Sequence, residues 1–166
     1  MTKRVSIRRV SSDIWHNIDK KEFWVCLIIS FLLSTISLLI NFESELTRSN
    51  ILSIFPSLVG CTIAGYAIII NLKEETVKRL EDKVNGEQPY EVLCASFSFA
   101  IILQLVPIFL SLYCPKDWYM VDSSIYTKII PFLVLFFSLF SLLWIGNLAL
   151  HLFALRMFIL SKEQKK

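Results

Sequence analysis

Four apolar runs, each long enough to cross a lipid bilayer, leave this chain of 166 residues little choice of fold. A hydrocarbon core about 30 Å thick takes roughly 20 helical residues to span, and in lipid a helix satisfies its own backbone polar groups. The runs lie at Phe23–Ile40, Ile51–Leu72, Val92–Tyr113 and Ile129–Leu150, the last continuing largely apolar to Leu160. The expected fold is therefore all-α: a polytopic membrane protein whose four transmembrane helices occupy residues 23–160. Around them lie a juxtamembrane segment, 1–22, a charged middle loop, 73–91, and a short tail, 161–166. Composition agrees, with 55% hydrophobic and 19% charged residues, against about 25% charged in soluble chains. Trp15 and a long charged stretch precede the first run and no small-residue cleavage site follows it, so it is expected to be retained as an anchor.

Lys and Arg set the orientation. Lys3, Arg4, Arg8, Arg9, Lys20 and Lys21 precede the first helix; Lys73, Lys78, Arg79 and Lys83 lie in the middle loop; Arg156, Lys162, Lys165 and Lys166 close the chain. The other side holds Arg48, Lys116 and Lys128. Positive loops stay in the cytoplasm, which places both termini and the middle loop there, in a multi-pass protein of a bacterial inner membrane. The net charge of +3 carries no nucleic-acid signal, because Glu74, Glu75, Glu81, Asp82, Glu87 and Glu91 interleave with the basic residues of the middle loop. The N-terminal KRVSIRR is expected to meet anionic lipid, with no direct nucleic-acid partner.

The second run, SIFPSLVGCTIAGYAIIIN, places a small residue at every third or fourth position: Ser53, Ser57, Gly60, Ala64 and Ala67, with Asn71 next in the series. Lipid tails are as apolar as leucine, so membrane helices associate by close backbone approach and interhelical hydrogen bonds, and small residues mark such faces. Cys61 and Gly65 form a second stripe beside the first. The first helix carries a comparable row, Cys26, Ser30, Ser34, Ser37 and Asn41, and the short loop after it predicts that these two small faces meet in one hairpin. Whether the second helix's row packs within one chain or between chains stays open at this level. The third helix offers Ser96, Ala100, Gln104, Pro107 and Ser111 at similar spacing; the fourth is Phe-rich, with Ser138 and Ser141 as small breaks. Past the second helix, Val77, Leu80 and Val84 mark a short amphipathic cytoplasmic helix able to face a partner, ended by Asn85-Gly86. In the N-terminal segment, Ile14, Trp15 and Ile18 share one side of a short helix.

Little in the sequence suggests reaction chemistry. There is no GxSxG, Walker loop, paired-carboxylate cleft or HExxH, no transmembrane run contains an acid, and the external loops are too short for a substrate pocket. The chain reads as a non-enzyme with neither cofactor nor metal. The four cysteines form no CxxC, and only Cys114 lies on the outer side, so they read as packing residues. Three polar positions stand out. Gln104 sits near mid-bilayer, where it serves as interhelical glue or lines a pore. Asn147 and His151 share one face near the cytoplasmic end of the fourth helix, as an interface anchor or a proton- or ligand-sensing pair.

Two functions fit. One is a homo-oligomeric membrane anchor or sensor that displays its cytoplasmic parts to a soluble protein partner. The other is a pore-forming effector or small channel that permeabilises the inner membrane. The layout of four helices, cytoplasmic ends and charged middle loop resembles the small membrane subunits of bacterial anti-phage systems, the Kiwa membrane subunit among them; the likeness is one of architecture over the whole chain, and no short motif, SLVGCTIAGYAIII included, carries it. That resemblance implies a homo-oligomeric inner-membrane protein that perceives envelope disturbance and works with a cytoplasmic effector. It carries no site residues over.

Overall fold

The computed structural model describes residues 14–15, 18–39, 48–72, 89–113 and 125–163. They form four long helices: α1 (Lys20–Leu39), α2 (Arg48–Ile70), α3 (Pro89–Tyr113) and α4 (Ile125–Glu163). Each apolar run falls on one helix, and each helix begins about a turn before the run does. Three stretches among the described residues are long and apolar enough to cross a membrane: Ser49–Ile70, Tyr90–Leu112 and Ile129–Ala154. With 39 residues, α4 is about 58 Å long, and it continues well past the end of its apolar stretch. Pro56, Pro107 and Pro131 lie inside α2, α3 and α4 without ending any of them.

The helix ends follow local chemistry. Asp19 caps α1: its Oδ1 accepts the Lys21 N–H at 2.8 Å, and its carbonyl accepts the Phe23 N–H at 3.0 Å. The D-K-K-E order is thus a helix start, with Asp19 at the cap and Glu22 in the first turn. At the far end of α2, Asn71 donates twice to the Ala67 carbonyl, from its backbone N–H at 3.1 Å and from Nδ2 at 2.8 Å. The first is the last ordinary helical bond of α2, and the side chain adds a second donor to the same carbonyl.

The helices pack in the order α2–α3–α4–α1, and among the described residues α1 and α2 do not approach each other. This corrects the expectation of a first hairpin with matched small faces. Neighbours run antiparallel. Phe23 of α1 meets Phe140 at 5.6 Å and Trp144 at 6.3 Å, while Phe31 meets Phe132 at 5.8 Å. Phe132, Phe136, Phe140 and Trp144 recur every fourth residue and form an aromatic ladder on α4. Edge-to-face pairs of this kind add about 0.5–1.5 kcal/mol each beyond area burial. In a bilayer, where burial of apolar area offers no gain, such a ladder holds α1 better than the short loop to α2 can. Contacts between Tyr66 and Phe97, and between Trp144 and Ser96, fix the remaining directions. The start of α1, the end of α2, the start of α3 and the later part of α4 therefore lie at one end of the bundle.

At that end Ile14 and Trp15 are helical, Ile18 is buried with Ile14 packed into the same cluster, and the Trp15 ring stands edge-on to Phe23 at 5.1 Å. Of the apolar side expected for the N-terminal segment, Ile14 and Ile18 are seated against the bundle, Ile18 at a bend and not in a helix, while Trp15 stays exposed. A smaller cluster of Ile51, Phe55 and Val134 closes the opposite end.

Candidate functional site

Three helices carry rows of small residues, and the fold uses two of them internally. On α1, Cys26, Ser30 and Ser34 are buried and Ser37 is half-buried. Since α4 is the helix that packs on α1, this row faces α4, not α2. On α3, Ser96, Ala100, Gln104, Pro107 and Ser111 are all buried. The α2 row differs: Ser53, Ser57, Gly60, Ala64 and Ala67 are every one exposed, as is Asn71.

The reason is rotational. α2 turns larger residues into the bundle, with Ile51, Phe55, Thr62 and Ile69 buried. At about 100° per residue those positions lie nearly opposite the small row. An ideal Cβ placed on Gly60 finds nothing within 4 Å, whereas one on Gly65 would sit 3.1 Å from Phe97 Cε1. The second stripe therefore divides. Gly65 admits the Phe97 ring, which stacks on Tyr66 at 5.9 Å, and Cys61 faces outward beside the small row.

Gln104 serves the α2–α3 contact. It is wholly buried, its Nε2 donates to Thr62 Oγ1 at 2.8 Å, and the same hydroxyl donates to the Leu58 carbonyl at 2.9 Å. Ser98 Oγ donates to the Cys94 carbonyl at 2.9 Å and is hydrogen-bonded to the Tyr66 hydroxyl at 3.2 Å. Trp144 Nε1 donates to the Ser96 carbonyl at 3.2 Å, tying α4 to α3. The polar groups of α3 thus point into the chain's own packing. The hydroxyls of Ser34, Ser111 and Ser138 are buried without a hydrogen-bond partner among the described residues. Each lies one turn after a backbone carbonyl of its own helix, the usual acceptor for a helical serine.

The sequence-singled pair Asn147 and His151 does come together, and with a third residue that sequence reasoning missed. Glu22 Oε2 accepts from Asn147 Nδ2 at 2.7 Å and lies 2.6 Å from His151 Nε2. All three are half-buried, at the end of the bundle where α1 begins. A carboxylate in the first turn of a helix also sits favourably against the helix dipole. The reading that no transmembrane run contains an acid depends on where the runs were begun: Glu22 directly precedes Phe23, and the apolar stretch of α3, Tyr90–Leu112, takes in Glu91. In space the Glu22 carboxylate belongs to the bundle, and the available signal was the D-K-K-E helix start.

The described cysteines, Cys26, Cys61 and Cys94, are free thiols, and no group of three or more metal-ligating side chains occurs among the described residues. Val77, Leu80, Val84 and Cys114 lie outside the described residues. No family model, no curated protein and no solved structure matches the chain.

Proposed function

We propose that the chain is a non-enzymatic, four-span protein of a bacterial inner membrane, which assembles with copies of itself and acts as membrane anchor or sensor for a cytoplasmic protein. The observation that carries this reading is the α2 face of Ser53, Ser57, Gly60, Ala64 and Ala67, which none of the described helices covers. Small residues in lipid gain by letting a second backbone approach, and a second copy of the chain supplies one.

α1 is the fourth span. Its 20 residues reach about 30 Å, and Trp24, Val25, Ile28, Ile29, Leu32 and Ile36 present an exposed apolar side to lipid. The basic segments flanking the shared end of the bundle support a cytoplasmic location for that end. There α4 runs past Ala154 to Glu163, about 13 Å of helix available to a partner. The polar groups of α3 that a pore would require are used inside the chain, which supports the anchor over the pore. The resemblance to anti-phage membrane subunits supports envelope disturbance as the cue.

The test is a gentle-detergent pull-down of the full chain from its own cells, followed by native mass spectrometry. An oligomer carrying a stoichiometric soluble protein is expected. A homo-oligomer without partner, conducting in planar bilayers, would replace the anchor with the pore.

A further inference from the structure

The start of α1 is held to the bundle at two levels. Ile14 and Ile18 pack into the core cluster, and beside them Glu22 meets α4. Asn147 and His151 both address a single oxygen of that carboxylate, at 2.7 and 2.6 Å. An ionised carboxylate has no proton to give, so the imidazole nitrogen facing it carries one. The contact is then an N–H···O⁻ bond from a neutral ring or, with the ring protonated, an ion pair that adds the attraction between two full charges to the same hydrogen bond. Asn147 does not titrate and holds the carboxylate in both states. One acceptor oxygen thus has a constant donor and a variable one. One turn further along α1, on the same face, Cys26 is buried.

We propose that Glu22, Asn147 and His151 form a proton-operated clasp between α1 and α4. Protonation of His151 from the cytoplasm draws the start of α1 onto α4, and loss of that proton slackens it. Imidazole is the side chain whose charge changes in the physiological range. This deepens the sensor reading of the proposed function and rests on it for the side of the membrane from which the proton comes.

Among the described residues, two long helices pack on α4. From α1 the charged groups at this end are Glu22 itself, exposed Lys20 and Lys21, and Asp19, engaged at the helix cap; from α3 they are Glu91 and the titratable Tyr90 and Cys94. Of these, Glu22 is in bonding contact with the imidazole.

The native thiols supply the readout. The full-length protein in bilayer nanodiscs is treated with N-ethylmaleimide at pH 6 and pH 8, and labelling of Cys26 is followed by peptide mass spectrometry. His151→Gln, which cannot titrate, is labelled at the same pH values as reference, so that the reagent's own pH dependence cancels. The expected result is a wild-type to His151→Gln ratio up to about fivefold higher at pH 8 than at pH 6, the factor set by the added attraction of a partly exposed ion pair. Glu22→Gln, which keeps an acceptor without charge, should flatten that response. Cys94, half-buried on α3, reports whether a variant has lost its fold.

An equal ratio at both pH values, or a Glu22→Gln chain with the full response, overturns the clasp. Native mass spectrometry on the same samples separates the two readings. Loss of oligomer and partner with the Cys26 response intact removes the anchor-sensor function alone. A flat response with the assembly intact removes the clasp alone.

Discussion

Replacing Gly60 with leucine separates packing between chains from packing within one. In the fold an added Cβ at Gly60 meets nothing within 4 Å, so the side chain extends away from its own bundle. Leucine is also the better helix former by roughly 0.5–1 kcal/mol, so the variant should fold at least as well. If a second copy packs on this face, the leucine holds the two backbones near the 8–10 Å of ordinary helix pairs, about a side-chain layer further apart. On the order of ten to fifteen atom contacts at about 0.1–0.2 kcal/mol each are lost, about 2 kcal/mol for each interface. That corresponds to about a thirtyfold weaker association. The assay is energy transfer between labelled copies in vesicles as the protein is diluted with lipid, with Ala64→Leu in parallel. Gly65→Leu supplies the converse, since its Cβ alone would lie 3.1 Å from the Phe97 ring and the whole side chain would overpack the α2–α3 contact by about 1–3 kcal/mol, more than its better helix propensity returns. It should lower resistance to denaturant and leave association nearly unchanged. Unchanged dilution curves for both Gly60→Leu and Ala64→Leu would refute the assignment of this face to assembly.

Other consequences are simpler to check. Gln104→Leu removes the bond to Thr62, whose hydroxyl keeps the Leu58 carbonyl; a loss of about 0.6 kcal/mol, at most near 2, is expected in reversible unfolding in mixed micelles. A larger loss would mean that Gln104 does more than join α2 to α3. Asp19→Ala deletes the cap on Lys21 N–H and should cost about 1 kcal/mol, with faster hydrogen exchange confined to the first turn of α1. A cysteine placed at Asn85 should react with an impermeant maleimide only in inverted vesicles; reaction from outside intact cells would reverse the topology.

The helices were legible in the sequence because hydropathy and length are local properties. A run of apolar residues needs no knowledge of its neighbours to be a helix in lipid, and α2, α3 and α4 follow directly. The partner of each helix was not legible in the same way. The rows at Cys26, Ser30 and Ser34 and at Ser57, Gly60 and Ala64 have similar spacing, and a short loop joins their helices. Loop length favoured pairing them, but the α4 aromatic ladder against Phe23 and Phe31 outweighs that preference. Asn147 and His151 were found by polarity within an apolar helix. Glu22 was missed because a run starting at the first apolar residue leaves a helix's own first turn outside its boundary.

The outward α2 row is informative because the single chain gives no reason for it. At a position that only lipid touches, leucine or isoleucine would be solvated at least as well as serine, glycine or alanine, and glycine costs helix stability by comparison. On α1 and α3 the small residues are explained by the helices lying against them. On α2 the residues turned into the bundle are Ile51, Phe55, Thr62 and Ile69, the first two in a cluster shared with Val134 of α4, and the small residues occupy the far side. Ser53 and Ser57 add no outward polarity that lipid must solvate, because their hydroxyls return to the Asn50 and Ser53 carbonyls of the same helix. The face left behind is smooth, apolar in effect and shaped for another backbone. An accidental row would tolerate bulk at Gly60 without consequence, whereas an interface would not. The difference between those two responses decides whether this chain works alone.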